Sequence, residues 1–167
     1  RPLIEQLKRA QPQTTIFLTF FSPSGYEIRK NYAFADYVYY LPLDKQNNAR
    51  QFLDIVQPTT AIFIKYEFWY YYLYELNRRQ IPTYLVSGIF RPTQPFFRWY
   101  GNLHREMLTF FDCLFIQNEQ SAALLRRNGI HHFVVNGDTR VDRVATIAQH
   151  APAFPLVEHF LNTTQVL

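Results

Sequence analysis

The chain has 167 residues, of which 48% are hydrophobic and 18% aromatic, enough to build one domain with a fragment of another. The formal net charge of +4 permits an anionic partner without identifying one, and the basic residues are scattered rather than gathered on one face between aromatic platforms, so a nucleic-acid surface is set aside. A single cysteine, Cys113, excludes an intrachain disulfide framework and favours a reducing compartment, and no stretch approaches the roughly 18–20 apolar residues that span a bilayer.

Taken in order, residues 2–10 place Leu3, Ile4, Leu7 and Ala10 on one helical face, with Pro2 suited to the first turn. The run Thr15 to Phe21 is β-branched and aromatic, a buried strand. It stops at Ser22-Pro23-Ser24-Gly25-Tyr26-Glu27, where small residues leave backbone N–H groups near a helix start. Such a corner can receive an anion; an ordinary strand-to-helix turn is the plainer alternative. Asp36 to Leu41 reads as a strand closed by Pro42, and residues 48–56 as an amphipathic helix with Ala49, Phe52, Leu53 and Val56 on its apolar stripe.

Ala61 to Ile64 is a short buried strand that runs into the charged corner Lys65-Tyr66-Glu67. A helix carrying Trp69, Leu73 and Leu76 on one stripe follows, and then a strand at 83–87. Gly88, Pro92 and Pro95 make a loop containing Arg91. The spacing of Phe96, Tyr100, Leu103, Met107 and Phe110 predicts one long helix, with Arg98 and Arg105 on another stripe. That segment could lie on an anionic membrane surface or pack on the core. Cys113 to Ile116 is a strand in which Cys113 reads as a small hydrophobe. A helix from Ser121 to Arg127 is capped at Gly129, and a last strand, Phe133 to Val135, ends at Asn136-Gly137-Asp138-Thr139-Arg140. Residues 141–161 are expected to be helical, with breaks at Pro152 and Pro155. The chain starts without Met and ends in an apolar run, so a domain cut from a longer protein is expected.

Strands alternating with helices through short loops imply an α/β fold, a Rossmann-like parallel sheet of six strands with helices on both faces. The polar clusters at the strand ends would then share one edge and form a cleft suited to a phosphorylated or sugar-like ligand. Glu67 in that cleft could act as a base, orient hydroxyl groups, or simply cap the next helix. The five histidines show no metal-ligand spacing, and G-x-G-x-x-G, Walker A and G-x-S-x-G are all absent.

The ordered set SPSGYE (22–27), YVYYLPLD (37–44), KYEFW (65–69), IPTYLVSGIF (81–90), FIQNEQSAALLRRNGI (115–130) and VVNGDTRVDRV (134–144) resembles the amino-terminal domain of the 3-deoxy-D-manno-octulosonic acid (Kdo) transferases of lipopolysaccharide synthesis. The resemblance implies the amino-terminal half of a GT-B glycosyltransferase, with residues 1–145 as a Rossmann-like acceptor domain and 146–167 as a linker into the donor domain. Residues 146–167 would also hold the start of that donor domain. The resemblance implies transfer of Kdo from CMP-Kdo to a lipid A precursor, with inversion and with no metal at the reacting carbon. The place of work would be the cytoplasmic face of the bacterial inner membrane. Glu67 matches a family acid in an E-x-W setting. Ser24, Gly25 and Tyr26 match the acceptor-site turn, and Gly137 and Arg140 the G-[ND]-x-[KR] turn. Arg91 lies in a loop that matches loosely, and Arg98 and Arg105 would face the membrane. The family's general base is a Glu in a Gly-Glu pair ahead of the helix that opens at Arg1-Pro2. That pair, its strand and the donor domain are not in this sequence, so the chain by itself is expected to lack transferase activity. Its sheet should show either a gap or a rearranged edge. The alternatives are a non-catalytic Rossmann-like module that docks on membrane or protein, and a GT-B enzyme with another acceptor.

Overall fold

A computed structural model describes residues 2–137. The elements are α1 (Pro2–Ala10), β1 (Phe17–Phe20), α2 (Pro23–Arg29), β2 (Tyr37–Tyr40), α3 (Gln46–Val56), β3 (Ala61–Ile64), α4 (Tyr70–Arg78), β4 (Thr83–Gly88), α5 (Asn102–Thr109), β5 (Cys113–Ile116), α6 (Glu119–Arg127) and β6 (Phe133–Val135). The strands are the aromatic and β-branched runs, FLTF, AIFI and CLFI among them, that polar or Gly/Pro corners bound on either side. α3 ends on the left-handed Gln57 ahead of Pro58, and α6 runs from the Asn118 side-chain cap to Gly129 at φ +76°.

Among the described residues every strand pair is parallel and six helices flank the strands, the expected Rossmann-like α/β arrangement. The strands nevertheless form two sheets, β1-β2 and β3-β4-β5-β6. Among the described residues no ladder joins the pair to the quartet, which leaves a gap there rather than a rearranged edge.

The core lies on one face of the quartet. Register aligns Phe63, Leu85, Leu114 and Phe133 in a row across all four strands. Against that row pack Leu73 of α4, Met107 and Leu108 of α5, and Ala122 and Leu125 of α6. Leu85 and Leu114 are fully enclosed, and each such side chain contributes on the order of 2 kcal/mol. The alternate positions Ile62 and Val134 point to the other face and stay about half exposed.

α3 and α4 hold the two sheets together. Phe52 of α3 meets Phe17 of β1 edge-on at 5.7 Å and Tyr72 of α4 at 5.6 Å. Beside these rings the fully buried Glu75 accepts from Arg50 Nε on α3 at 2.9 Å and from Arg78 at 2.8 and 3.0 Å. Burial pushes the Glu75 carboxyl up, but the guanidinium groups of Arg50 and Arg78 outweigh it and hold the pKa below the usual carboxylate value.

The single long helix expected over 96–110 is two elements. A 3-10 turn, Pro95–Phe97, is followed by a bend, and α5 starts only at Asn102. Pro95 and Gly101 favour the break, and Phe96 and Met107 reach the core from separate pieces while Tyr100 and Leu103 face outward. Trp69 likewise sits just ahead of α4, as its cap residue, and not on the helical stripe with Leu73 and Leu76.

Candidate functional site at the carboxyl ends of the strands

The carboxyl ends of both sheets meet on one edge: Phe21, just past β1, lies with its ring 4.7 Å from that of Trp69, beyond β3. Glu67 sits between β3 and α4 and is exposed. Its Oε2 accepts a hydrogen bond of 2.6 Å from the Trp69 indole N–H. Phe68 in between points inward and packs on Phe90, Phe96 and Phe111, which pins the loop from below. Glu67 is therefore a carboxylate held by an indole that itself spans the junction of the two sheets.

β3 and β4 both finish in left-handed backbone on non-glycine residues, Lys65 at φ +64° and Ser87 at φ +55°. Such conformations cost about 1–3 kcal/mol each and concentrate at functional sites. Lys65 N donates to Val86 O at 2.9 Å, so the ladder keeps the first in place. Gln117 Nε2 donates to Ser87 O at 2.9 Å and helps to hold the second.

At the end of β1, Ser22 caps α2 through its backbone and Pro23 opens the first turn. Ser24 and Gly25 lie in that turn, where helical amides have no intrahelical acceptor. The Ser22 and Ser24 hydroxyls share a hydrogen bond of 2.8 Å. Gly25 allows a close approach, since a Cβ there would stand 2.8 Å from Phe20 Cδ1. Tyr26 stacks on Tyr40 of β2 at 4.1 Å. Ser24, Gly25 and Glu67 are thus brought to one edge through Phe21 and Trp69.

The other expected residues lie further along that edge. Arg91 is exposed after β4, its loop closed by Gln94, whose Oε1 accepts from Arg91 N at 2.8 Å. The loop is anchored by the buried Ser121, whose Oγ accepts from Phe90 N at 2.9 Å. Gly137 follows β6 at φ +74°. β6 is three strands from β3, roughly 14 Å at normal strand spacing. Arg140 and the 146–167 linker lie outside the described residues. Arg98 is exposed, whereas Arg105 donates through Nη1 to the carbonyls of Phe96 and Arg98, each at 2.9 Å, and through Nη2 to Asn102.

Three residues have supporting roles that only the structure shows. Asp44 Oδ1 accepts from Tyr71 N at 3.0 Å, capping α4 from 27 residues away, because Trp69 supplies no side-chain cap. Burial raises the Asp44 pKa against those amides. No local pattern signals such a cap. Ser121 was visible only as a helix residue, although Asn118 three positions earlier is a legible N-cap for its amide. The E-x-W setting places Trp69 two residues from Glu67, and only the structure shows the indole donating to that carboxylate. Burial raises the Cys113 thiol pKa, in keeping with its place as a small half-buried side chain. Among the described residues there is no group of three or more His, Cys, Asp or Glu that could hold a metal ion, and no helix is long and apolar enough to cross a membrane.

Comparison with known proteins gives a family match and matches to curated relatives. Residues 1–143 match the family model described as 3-deoxy-D-manno-octulosonic-acid transferase (kdotransferase). A curated 3-deoxy-D-manno-octulosonic acid transferase of Haemophilus influenzae is 39% identical over 89 residues, which is 52% of this chain and 21% of that protein. The matched part of the chain thus spans about a fifth of the relative's length.

Proposed function

Because the chain belongs to the 3-deoxy-D-manno-octulosonic-acid transferase family, we propose that it supplies the acceptor-binding part of a GT-B glycosyltransferase that moves Kdo from CMP-Kdo to a lipid A precursor. In this reading an acceptor hydroxyl attacks the anomeric carbon of Kdo. A carbon–oxygen bond forms to the acceptor, the bond to the phosphate of CMP breaks, and CMP leaves with the electron pair. Inversion follows from attack opposite the leaving group. The base that takes the hydroxyl proton, and most of the donor pocket, belong to segments other than those described above.

The observation that carries the reading is the Glu67–Trp69–Phe21 bridge at the junction of two parallel sheets, on the edge formed by the strand ends. Ligands of open parallel sheets bind beyond that edge. Glu67 is a charged acceptor of hydrogen bonds there. Its role is to orient sugar hydroxyls, with one oxygen already fixed by the indole. The first-turn amides of α2 at Ser24 and Gly25 offer donors to a phosphate or hydroxyl of the acceptor, with Tyr26 beside them. Arg91 and Gly137 would complete the acceptor contacts along the same edge, and Arg140 is proposed as a further acceptor-binding residue. Arg98 faces the membrane that holds the acceptor, and Arg105 fixes the loop that presents it. The place of work in this reading is the cytoplasmic face of the bacterial inner membrane.

The test is transfer by the full-length protein. CMP-Kdo and a lipid A precursor should give a Kdo-bearing glycolipid, and Glu67→Ala should abolish or severely cut the rate. Full activity in that variant would remove the site assignment.

A further inference from the structure

From Arg91 to Arg105 the chain carries three arginines and no acid. Within this stretch the bend before α5 turns Trp99, Tyr100 and Leu103 outward, at 89%, 58% and 51% exposure. A fully buried ring is worth about 2–3 kcal/mol, so a tryptophan this open forgoes a large folding contribution. The core directly beneath takes Phe96 and Met107 instead.

The exposed group is held on a fixed backbone. Trp99 and Tyr100 meet edge to face at 5.6 Å. Arg98 N donates to Pro95 O at 3.1 Å and Gly101 N to Arg98 O at 3.0 Å. The Arg105 guanidinium ties the carbonyls of Phe96 and Arg98 together. Only glycine fits at 101, since a Cβ would stand 1.9 Å from Pro95 O. The result is a small knuckle of two amphipathic rings and a leucine, with the exposed Arg98 inside it and the exposed Arg91 at the root of the same segment.

We infer that this knuckle anchors the protein to an anionic lipid surface. Trp99, Tyr100 and Leu103 enter the boundary between head groups and acyl chains, and Arg98 meets head-group phosphates. Indole and phenol rings suit that boundary because each has an apolar body and a polar tip. Positive charge with no acid in the stretch complements an anionic surface, which attracts each nearby arginine by about 1 kcal/mol. The inference rests on the membrane-side reading above and narrows it to named side chains.

The 167-residue chain holds two tryptophans, so Trp69→Phe made in this chain leaves Trp99 as its single indole. With vesicles containing phosphatidylglycerol, Trp99 emission should move to shorter wavelength and be quenched by lipids brominated on the acyl chains. Phosphatidylcholine vesicles should give a much smaller change. In co-sedimentation, Trp99→Ser should weaken binding about tenfold, and Arg98→Gln about fivefold. Co-sedimentation without a Trp99 shift, or unchanged binding by Trp99→Ser, overturns the knuckle and leaves the membrane reading standing. Absence of any co-sedimentation overturns both, while the assignment of Glu67 is judged separately by transfer.

Discussion

The Trp69 indole donates to the Glu67 carboxylate at 2.6 Å while its ring rests 4.7 Å from Phe21. One side chain therefore sets the direction of the acid and joins the ends of two sheets. In the full-length protein, Trp69→Phe keeps a ring against Phe21 and removes the charge-assisted bond, worth about 1.5 kcal/mol. Its kcat/KM should fall about tenfold. Glu67→Ala removes the carboxylate itself and should fall by about a hundredfold or more. Equal losses in the two variants would mean that the indole does more than orient the acid.

Glu75 fastens α4 to α3 through Arg50, alongside the Arg79–Asp54 ion pair at 2.8 Å. Its surroundings are guanidinium groups that remain partly exposed, so the ion pairs are worth less than fully buried ones. Glu75→Gln should cost about 2 kcal/mol of unfolding free energy, read from the denaturant midpoint. Because the folded pKa is depressed, this stabilisation is present above the unfolded carboxylate pKa. It is lost as the pH falls through the lower folded value. The variant should therefore converge with the parent sequence at acid pH.

Asp44 has the opposite sign. Burial raises its folded pKa even though it caps α4. Its contribution is full below the unfolded pKa and declines as the pH rises through the folded one. Asp44→Asn keeps an acceptor for Tyr71 N without the buried charge, and should match or exceed the parent stability at pH 7. Asp44→Ala should lose about 1 kcal/mol. Thermal melts at pH 4 and pH 7 would separate the two effects.

Gly101→Ala places a methyl group 1.9 Å from Pro95 O, which is backbone and cannot swing away. The bend before α5 must shift, at a cost of about 1–3 kcal/mol. Differential scanning calorimetry should show the loss, and vesicle binding should weaken with it because Trp99 and Tyr100 are presented by that bend.

Much of the fold is legible in the residues. Apolar runs such as AIFI and CLFI, bounded by polar corners, make short strands, and their alternation with amphipathic helices makes the sheets parallel, because local periodicity reports burial directly. The place of Glu67 at a strand end follows from the same logic. Tertiary structure alone decided the gap between the β1-β2 pair and the quartet, since strand pairing is a contact between distant segments. It also decided the break before α5: the period of Phe96, Tyr100, Leu103 and Met107 is helical, but Pro95, Gly101 and the carbonyls that Arg105 gathers outweigh it. The Asp44–Tyr71 cap and the Arg50–Glu75 pair arise in the same way. Each joins residues more than twenty positions apart, and such partners are chosen by packing, on which the local sequence carries no signal.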